Sequence, residues 1–326
     1  MNNKDMQQEE IMPRFYNYGL AFMRFSTQRF PIIADKRIYT VTTMKCGHRH
    51  DFTQIWYCCT GQYTHQVEDR IFECEKGSVI LVPPGTFHWF WIPEGGYAEL
   101  VCINVIYDIF INVPSAQYLN AAANLFLPPF EKELDFSFPR CVKLSRKSQI
   151  AFEKHISWLL SLGFTMLGST WREQVYSCLD SMFSVPELAL PEEYRETAIR
   201  LIQSRVKPMV QVLHYLNCNY SEKITEETLL QISAVSHTNL YRYFKRFVGD
   251  TYGEYLQHLR ARHVYCYLFL TTYPMTYISD QCGFYDTQHM SQVFKKYMGQ
   301  SPRQFRMIKK KWLAENPDFK SRLPKG

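Results

Sequence analysis

Apolar residues recur with two different periods along this chain, and the change of period divides it. From residue 12 to about residue 114 they come in short Val, Ile, Tyr and Phe runs broken by Gly, Pro and polar turns, which predicts β-strands. The run Ser78 to Val82, between Gly77 and Pro83, is one such strand. Alternation over 48–58 predicts another, with His48, His50, Phe52, Gln54, Trp56 and Cys58 on one face. From Pro114 to about Leu144 the pattern is irregular and punctuated by Pro128, Pro129 and Pro139, so this stretch is expected to be a connector.

Helical spacing then takes over. Ser148 is expected to cap a helix reaching about Gly163, with Phe152, Ile156, Leu159 and Leu160 on one stripe. A second helix, Thr170 to Ser184, puts Val175, Tyr176, Leu179, Met182 and Phe183 on one side. Both stripes need a partner, either the chain's own strands or a second copy. Pro186 and Pro191 break the pattern, and a charged linker follows over 191–204, helical after Glu192. Arg205 to Asn219 is a further helix, with Val206, Val210, Leu213 and Leu216 inward.

The C-terminal part repeats itself. Phe244-Lys245-Arg246-Phe247-Val248-Gly249 returns 50 residues later as Phe294-Lys295-Lys296-Tyr297-Met298-Gly299, and the offset carries Leu240 onto Met290 and Tyr255 onto Phe305. Each unit reads as a short helix, a turn and a second helix. The first has helices at Thr225–Ala234 and from the cap Ser236 to Gly249. The second has helices at Thr276–Cys282, broken by Gly283, and from the cap Asp286 to Gly299. A helix, Tyr252–Thr271, joins them. Leu240, Phe244 and Phe247 face inward, leaving Tyr241, Arg242, Lys245 and Arg246 outside. In the second unit Met290, Val293, Phe294 and Tyr297 face inward, leaving Gln288, His289, Gln292, Lys295 and Lys296 outside. Two exposed basic helices behind tight turns form the helix-turn-helix plan for entering a DNA major groove.

The residues Phe244-Lys245, Gly249, Tyr255-Leu256, Leu259-Arg260, Gly283-Phe284, Phe294-Lys295, Gly299, Ser301-Pro302 and Phe305-Arg306 resemble the DNA-binding domain of AraC/XylS-type transcription regulators over 224–306. Leu230, Ser279 and Val264 stand where that family places small alanines, which implies local repacking. On the first recognition helix Arg242 suits guanine O6 and N7 bidentately, with a surface ion pair as its alternative role. Gln288 and Gln292 suit adenine edges. Ser236, His237, Thr238, Tyr241, Thr287 and His289 lie near the helix starts, within reach of bases or phosphates, and Lys245, Lys295 and Lys296 suit phosphates.

Charge follows the same division. Residues 205–326 hold 18 Lys and Arg against 9 Asp and Glu, whereas residues 1–204 hold 19 against 22. The positive balance therefore sits on the part expected to meet phosphate. The ten cysteines contain no C-x-x-C pair and often lie in apolar runs, as reduced core thiols do; a redox role for the adjacent Cys58-Cys59 is the alternative. No secretory signal or membrane span is visible, so the expectation is a cytoplasmic protein.

The block Gly47 to Gly61 and the block Gly77 to His88, with Pro83-Pro84-Gly85-Thr86-Phe87 inside it, resemble the two motifs of the cupin β-barrel. The resemblance implies a small barrel holding a ligand in its mouth. Metal-binding cupins place chelating side chains at positions matching His48, His50, Gln54 and His88. Glutamine replaces the carboxylate here, which leaves His48, His50 and His88 as minor metal candidates and no cofactor expected. The main reading assigns His48, His50, Gln54, Trp56 and His88 to a small-molecule effector, with a sugar suited to them; plain structural hydrogen bonding is the alternative.

The expected fold is thus α+β and multidomain: a cupin-like barrel at 12–114, a connecting and dimerising helical segment at 115–204, an all-α domain with two helix-turn-helix units at 205–310, and a tail at 311–326. The expected function is a DNA-binding transcription regulator, not an enzyme. Its expected partners are double-stranded DNA, an effector and a second copy, with RNA polymerase a further candidate. A metal-dependent barrel enzyme fused to a DNA-binding tail, or a barrel that only dimerises, are the competing classes.

Overall fold

The computed structural model describes residues 32–40, 47, 50, 52–105, 118–127, 141–162 and 171–315. They form two compact units. The first comprises the described residues up to His214 together with Leu230–Thr251; the second comprises Tyr215–Leu229 and the residues from Tyr252 on.

In the first unit the strands are β1 (Ile32–Tyr39), β2 (Thr53–Val67), β3 (Arg70–Glu75), β4 (Ser78–Val82), β5 (His88–Trp91), β6 (Ala98–Val105) and β7 (Cys141–Lys143). All pair antiparallel, in the order β1-β6-β2-β4-β7, while β3 and β5 flank the far half of β2. The strand expected over 48–58 begins instead at Thr53, so His50 and Phe52 lie before it, and it runs on to Val67. It survives the glycine because its register against β6 shifts between Cys58 and Thr60, and Gly61 takes φ +81 just beyond. A Cβ at Gly61 would lie 2.0 Å from the Tyr97 carbonyl oxygen, so a side chain has no room there. Past this bend β2 leaves β4 and β6 and pairs with β3 and β5.

The two halves of β2 enclose one apolar interior. Trp56, Cys58, Tyr63, Val67, Cys74, Ile80, Val82, Phe90, Ile92 and Leu100 are all buried in it. Helices α1 (Leu119–Phe126) and α2 (Arg146–Ser161) meet the outer face of the first half, and α3 (Trp171–Phe183) packs on both of them. Thr53 Oγ1 donates to the Leu125 carbonyl at 2.8 Å, and Tyr57 donates to Glu153 at 2.6 Å while its ring packs on Phe152. Helix α1 and strand β7 correct the expectation of an irregular connector. Alanines at 121–123 are good helix formers with small side chains, and all three are buried. The cap of α2 is Ser145 rather than Ser148: Ser145 Oγ accepts from the Ser148 backbone N–H at 3.3 Å, and Ser148 Oγ donates to Glu187 at 2.6 Å.

The linker is helical after Glu192, as expected, but no break separates it from the helix expected to start at Arg205. Helix α4 (Arg195–Leu201) continues through a π-helical stretch at Ile202–Val206 into α5 (Lys207–Cys218). Nothing in 195–218 can stop it except Pro208, which sits near the point where helical bonding has already loosened. Beyond lie α6 (Glu226–Ser233), α7 (His237–Val248), α8 (Tyr252–Leu270), α9 (Met275–Gln281), α10 (Thr287–Met298) and α11 (Pro302–Glu315).

The second unit packs α9, α10 and α11 on α8. Val264, Tyr265, Leu268, Ile278, Phe284, Met290, Phe294 and Phe305 form its buried cluster. Val264 and Ser279, two of the departures from the family's alanines, are both buried there. Arg260 of α8 donates to the Tyr220 carbonyl at 2.7 Å and to the Glu222 carbonyl at 2.9 Å, which fixes the turn before α6. Gly283 presses on the same turn at φ +71, where a Cβ would lie 2.5 Å from the Ser221 carbonyl oxygen. Gly283→Ala must therefore both strain the backbone and displace Ser221. We expect it to destabilise the second unit by about 1–3 kcal/mol, read as a lower denaturant midpoint with unchanged slope; an unchanged midpoint would show the turn to be slack.

Candidate DNA-binding and effector sites

Helices α7 and α10 end alike because their sequences end alike. Ser236 Oγ accepts from the Asn239 N–H at 3.4 Å, and Asp286 accepts from the His289 N–H at 2.7 Å. Gly249 and Gly299 close the helices at φ +91 and +75, each donating its N–H back to Lys245 or Lys295. Between these ends each helix hides one face. Leu240, Phe244 and Phe247 are buried on α7, as are Met290, Val293 and Phe294 on α10. Tyr243, left unplaced by the pattern, is also buried on α7.

The candidate DNA-binding side chains lie on the opposite faces. Ser236, His237, Thr238, Tyr241, Arg242 and Lys245 are exposed on the first unit. Gln288, Gln292, Lys295 and Lys296 are exposed on the second, with Thr287 and His289 half-buried. Arg242 donates to Asn239 Oδ1 at 2.9 Å and to the Tyr243 hydroxyl at 3.3 Å, and its guanidinium lies 5.0 Å from the centre of the Tyr243 ring. The groups that hold it are neutral, so its charge is oriented rather than neutralised. His289 is set edge-on against Phe284 at 5.4 Å. Tyr285, one residue before the Asp286 cap, is 95% exposed, and the sequence pattern gave no reason to single it out.

A line of polar side chains crosses the barrel interior. Gln54 donates to Asn104 at 2.9 Å and accepts from the Trp56 indole at 3.1 Å. Trp56 meets the His65 ring at 5.9 Å, nearly perpendicular. His65 Nε2 lies 3.0 Å from His88 Nδ1, and His88 Nε2 lies 3.1 Å from His50 Nε2. His50 Nδ1 lies 2.6 Å from the Phe52 carbonyl. A carbonyl only accepts, so His50 Nδ1 carries the proton and, in neutral imidazoles, donation runs one way from His65 to His88 to His50. Of the five effector candidates, His50, Gln54, Trp56 and His88 belong to this line, and His48 lies outside the described residues. His65 and Asn104 complete it, though the sequence reading passed over both. Among the described residues no group of three or more His, Cys, Asp or Glu is arranged to hold a metal ion. The ring nitrogens of His50 and His88 are turned onto each other, and Gln54 is spent on Asn104 and Trp56.

The turn that leads into His88 meets α7. The Gly85 N–H donates to the His50 carbonyl at 2.8 Å. A Cβ on Gly85 would lie 2.5 Å from the Val248 carbonyl and 2.6 Å from the Gly249 nitrogen, so the 83–86 turn touches the closing residues of α7 backbone to backbone. Phe247 also stacks on Phe126 of α1 at 6.2 Å, and Arg205 lies 5.2 Å from the Tyr243 ring.

The helical stripes expected to seek a partner are filled from within the unit: Phe152, Ile156 and Leu159 of α2, and Val175, Tyr176, Leu179, Met182 and Phe183 of α3, are buried. Their outer faces border a groove of about 540 Å³ whose lining includes Lys154, His155, Trp158, Gln174 and Ser177. No helix of the described residues is long and apolar enough to cross a membrane.

Comparison with known proteins matches these two regions separately and the chain as a whole. A helix-turn-helix domain family matches residues 229–308, and an AraC-like ligand binding domain family matches residues 41–106. The HTH-type transcriptional activator RhaS of Yersinia pseudotuberculosis serotype I (strain IP32953) is 37% identical over 274 residues, covering 79% of this chain and 88% of that protein. RhaS of Yersinia pestis (strain Pestoides F) is 26% identical over 274 residues with the same coverage. Among solved structures, ToxT from Vibrio cholerae is similar with a TM-score of 0.48 at 11% identity, covering 86% of this chain and 99% of ToxT. With exposed basic recognition helices, a ligand-binding barrel and a relative of that identity over most of its length, this chain belongs to the AraC family of DNA-binding transcription regulators.

Proposed function

We propose that a sugar-like polyhydroxylated molecule, bound along the Gln54–Trp56–His65–His88–His50 line, sets how the chain occupies its operator, and that the outcome is activation of transcription. The observation that carries this reading is a pair of hydrogen-bonded groups in an otherwise apolar interior, Asn104–Gln54–Trp56 and His65–His88–His50, which meet where Trp56 stands edge-on to His65 and end beside the loop that touches α7. A hydroxyl both donates and accepts, so a sugar can take over bonds that these residues now make to one another, and the Trp56 face suits a ring of C–H groups. Leaving such groups unpaired costs about 1–3 kcal/mol each, which disfavours an apolar effector. The activator reading follows the description that the RhaS relatives carry.

In this reading α7 and α10 are each a recognition helix that enters a DNA major groove. Arg242, Gln288 and Gln292 read base edges, while Lys245, Lys295 and Lys296 hold phosphates. Ser236, His237, Thr238, Tyr241, Thr287 and His289 work at the helix starts, with Tyr285 beside them. The chain acts as a homodimer through the outer faces of α2 and α3, and RNA polymerase is a further partner. The effector acts only by binding two states of the chain unequally, and the 83–86 turn against Val248 and Gly249 is where those states differ.

Calorimetric titration of the full chain against a panel of sugars should find one that binds, with binding lost in Gln54→Ala and His88→Ala. Silence towards every sugar together with binding of an apolar compound would refute the effector class. Arg242→Ala should weaken operator binding by about 1–3 kcal/mol and relax its sequence preference. Lys295→Ala should weaken all duplexes alike and reduce the salt slope by about one unit; equal losses on operator and random DNA for Arg242→Ala would reduce that residue to a phosphate contact. Gly85→Ala should leave sugar binding in place and abolish its effect on operator affinity, and a normal response in that variant would remove the turn from the switch.

A further inference from the structure

The helix at 195–218 changes its bonding where Arg205 stands. Pro208 has no N–H to offer the Ser204 carbonyl, and over Ile202–Val206 the backbone bonds reach one residue further than in an α-helix. The Lys207 N–H, for instance, donates to the Ile202 carbonyl. Wide turns of this kind are rare and are found frequently at functional sites. Leu201, Ile202 and Val206 are buried around this one, and α1 packs against the same stretch. Phe126 of α1 in turn stacks on Phe247 of α7. The packing therefore carries Arg205 to the first recognition helix.

What Arg205 meets there is Tyr243. Its guanidinium carbon lies 5.2 Å from the centre of the ring, within the range where a cation is attracted to an aromatic face. Tyr243 is buried, so this attraction is made largely away from water. The Tyr243 hydroxyl accepts from Arg242 Nη2 at 3.3 Å, and the Arg242 guanidinium carbon lies 5.0 Å from the same ring centre. Arg242 has a second anchor in Asn239 Oδ1, at 2.9 Å. Asn239 belongs to α7 and moves only with it. Tyr243 is the anchor that answers to another part of the chain. A long side chain that must be ordered on binding loses affinity by that ordering. Arg242 is ordered beforehand.

We propose that Arg205 is a positioning residue for sequence reading: through the Tyr243 ring it holds the Arg242 guanidinium in the orientation that pairs with a base edge. This rests on the base-reading role proposed for Arg242, and adds to it a residue that lies outside both helix-turn-helix units. The effect falls on preference rather than on overall attraction. Without Arg205, the Arg242 charge stays near the phosphates but is no longer aimed. Binding to random sequence and its salt dependence come from charge, which an unaimed Arg242 still supplies. A residue that itself held a phosphate would behave in the opposite way.

The test uses the full-length protein with the duplex that it selects from a random-sequence pool, beside an unselected duplex of equal length. Arg205→Ala should weaken binding to the selected duplex about 3- to 10-fold, with the unselected duplex and the salt slope unchanged. In an Arg242→Ala background the same substitution should cost nothing further, since no guanidinium is left to aim. Arg205→Lys keeps a cation for the ring and should restore most of the lost affinity. Tyr243→Phe keeps the ring and removes the hydroxyl. It should show the same selective loss, and it decides the matter if Arg205→Ala does not fold; a parent-like preference in Tyr243→Phe would overturn the proposal. A loss on both duplexes with a shallower salt slope would make Arg205 a phosphate contact and overturn it too, as would Arg205→Ala and Arg242→Ala losses that simply add. Equal losses on both duplexes for Arg242→Ala would remove the base-reading role itself, and this inference with it.

Discussion

The first unit depends on a single yielding point in one strand. A β-strand keeps its two faces apart only while its pairing stays in register. β2 gives up that register between Cys58 and Thr60, then turns at Gly61 because only a residue without Cβ fits beside the Tyr97 carbonyl. One extra residue reverses which side chains point inward. Before the bend Gln54, Trp56 and Cys58 face the interior; after it Tyr63, His65 and Val67 do. The barrel closes because one strand serves both sheets, and the buried polar line exists because the same irregularity brings His65 to face His88.

That polar line is costly in isolation and cheap as a set. Histidine, glutamine and asparagine side chains removed from water must find partners among themselves. Here the Phe52 carbonyl fixes the proton on His50 Nδ1, so that donation runs from His65 through His88 to His50. Such an arrangement is stiff, since no one ring can turn over without its neighbours. It is also a ready set of donors and acceptors for a ligand with hydroxyl groups. The Gly85 turn, tied to the His50 carbonyl on one side and to the end of α7 on the other, makes rigidity here matter at the helix.

The two recognition helices rest on a more local logic. Each has an oxygen-bearing cap, an amphipathic middle and a left-handed glycine, so each is defined by about a dozen residues with little help from afar. What surrounds them differs. Helix α10 is seated on the α8–α11 cluster of the second unit, whereas Phe247 and the Val248–Gly249 end of α7 pack within the first unit on Phe126 and Gly85.

The sequence by itself determined what local chemistry can determine. The caps at Ser236 and Asp286, the stops at Gly249 and Gly299, the inward stripes of the helices and the exposed basic faces all depend on residues within a turn or two of each other. The strand region and the pairing of two domain types were legible for the same reason, as were His50, Gln54, Trp56 and His88 on their motifs. Tertiary structure decided the rest. Strict alternation counted from Trp56 assigns His65 to the outside, because a bulge leaves no mark in composition. The helix at Leu119–Phe126 was hidden among prolines, and Ser145 displaced Ser148 as a cap because Glu187, far along the chain, claims the Ser148 hydroxyl. Contacts between residues distant in sequence depend on register and closure, and those are properties of the packed chain rather than of any window along it.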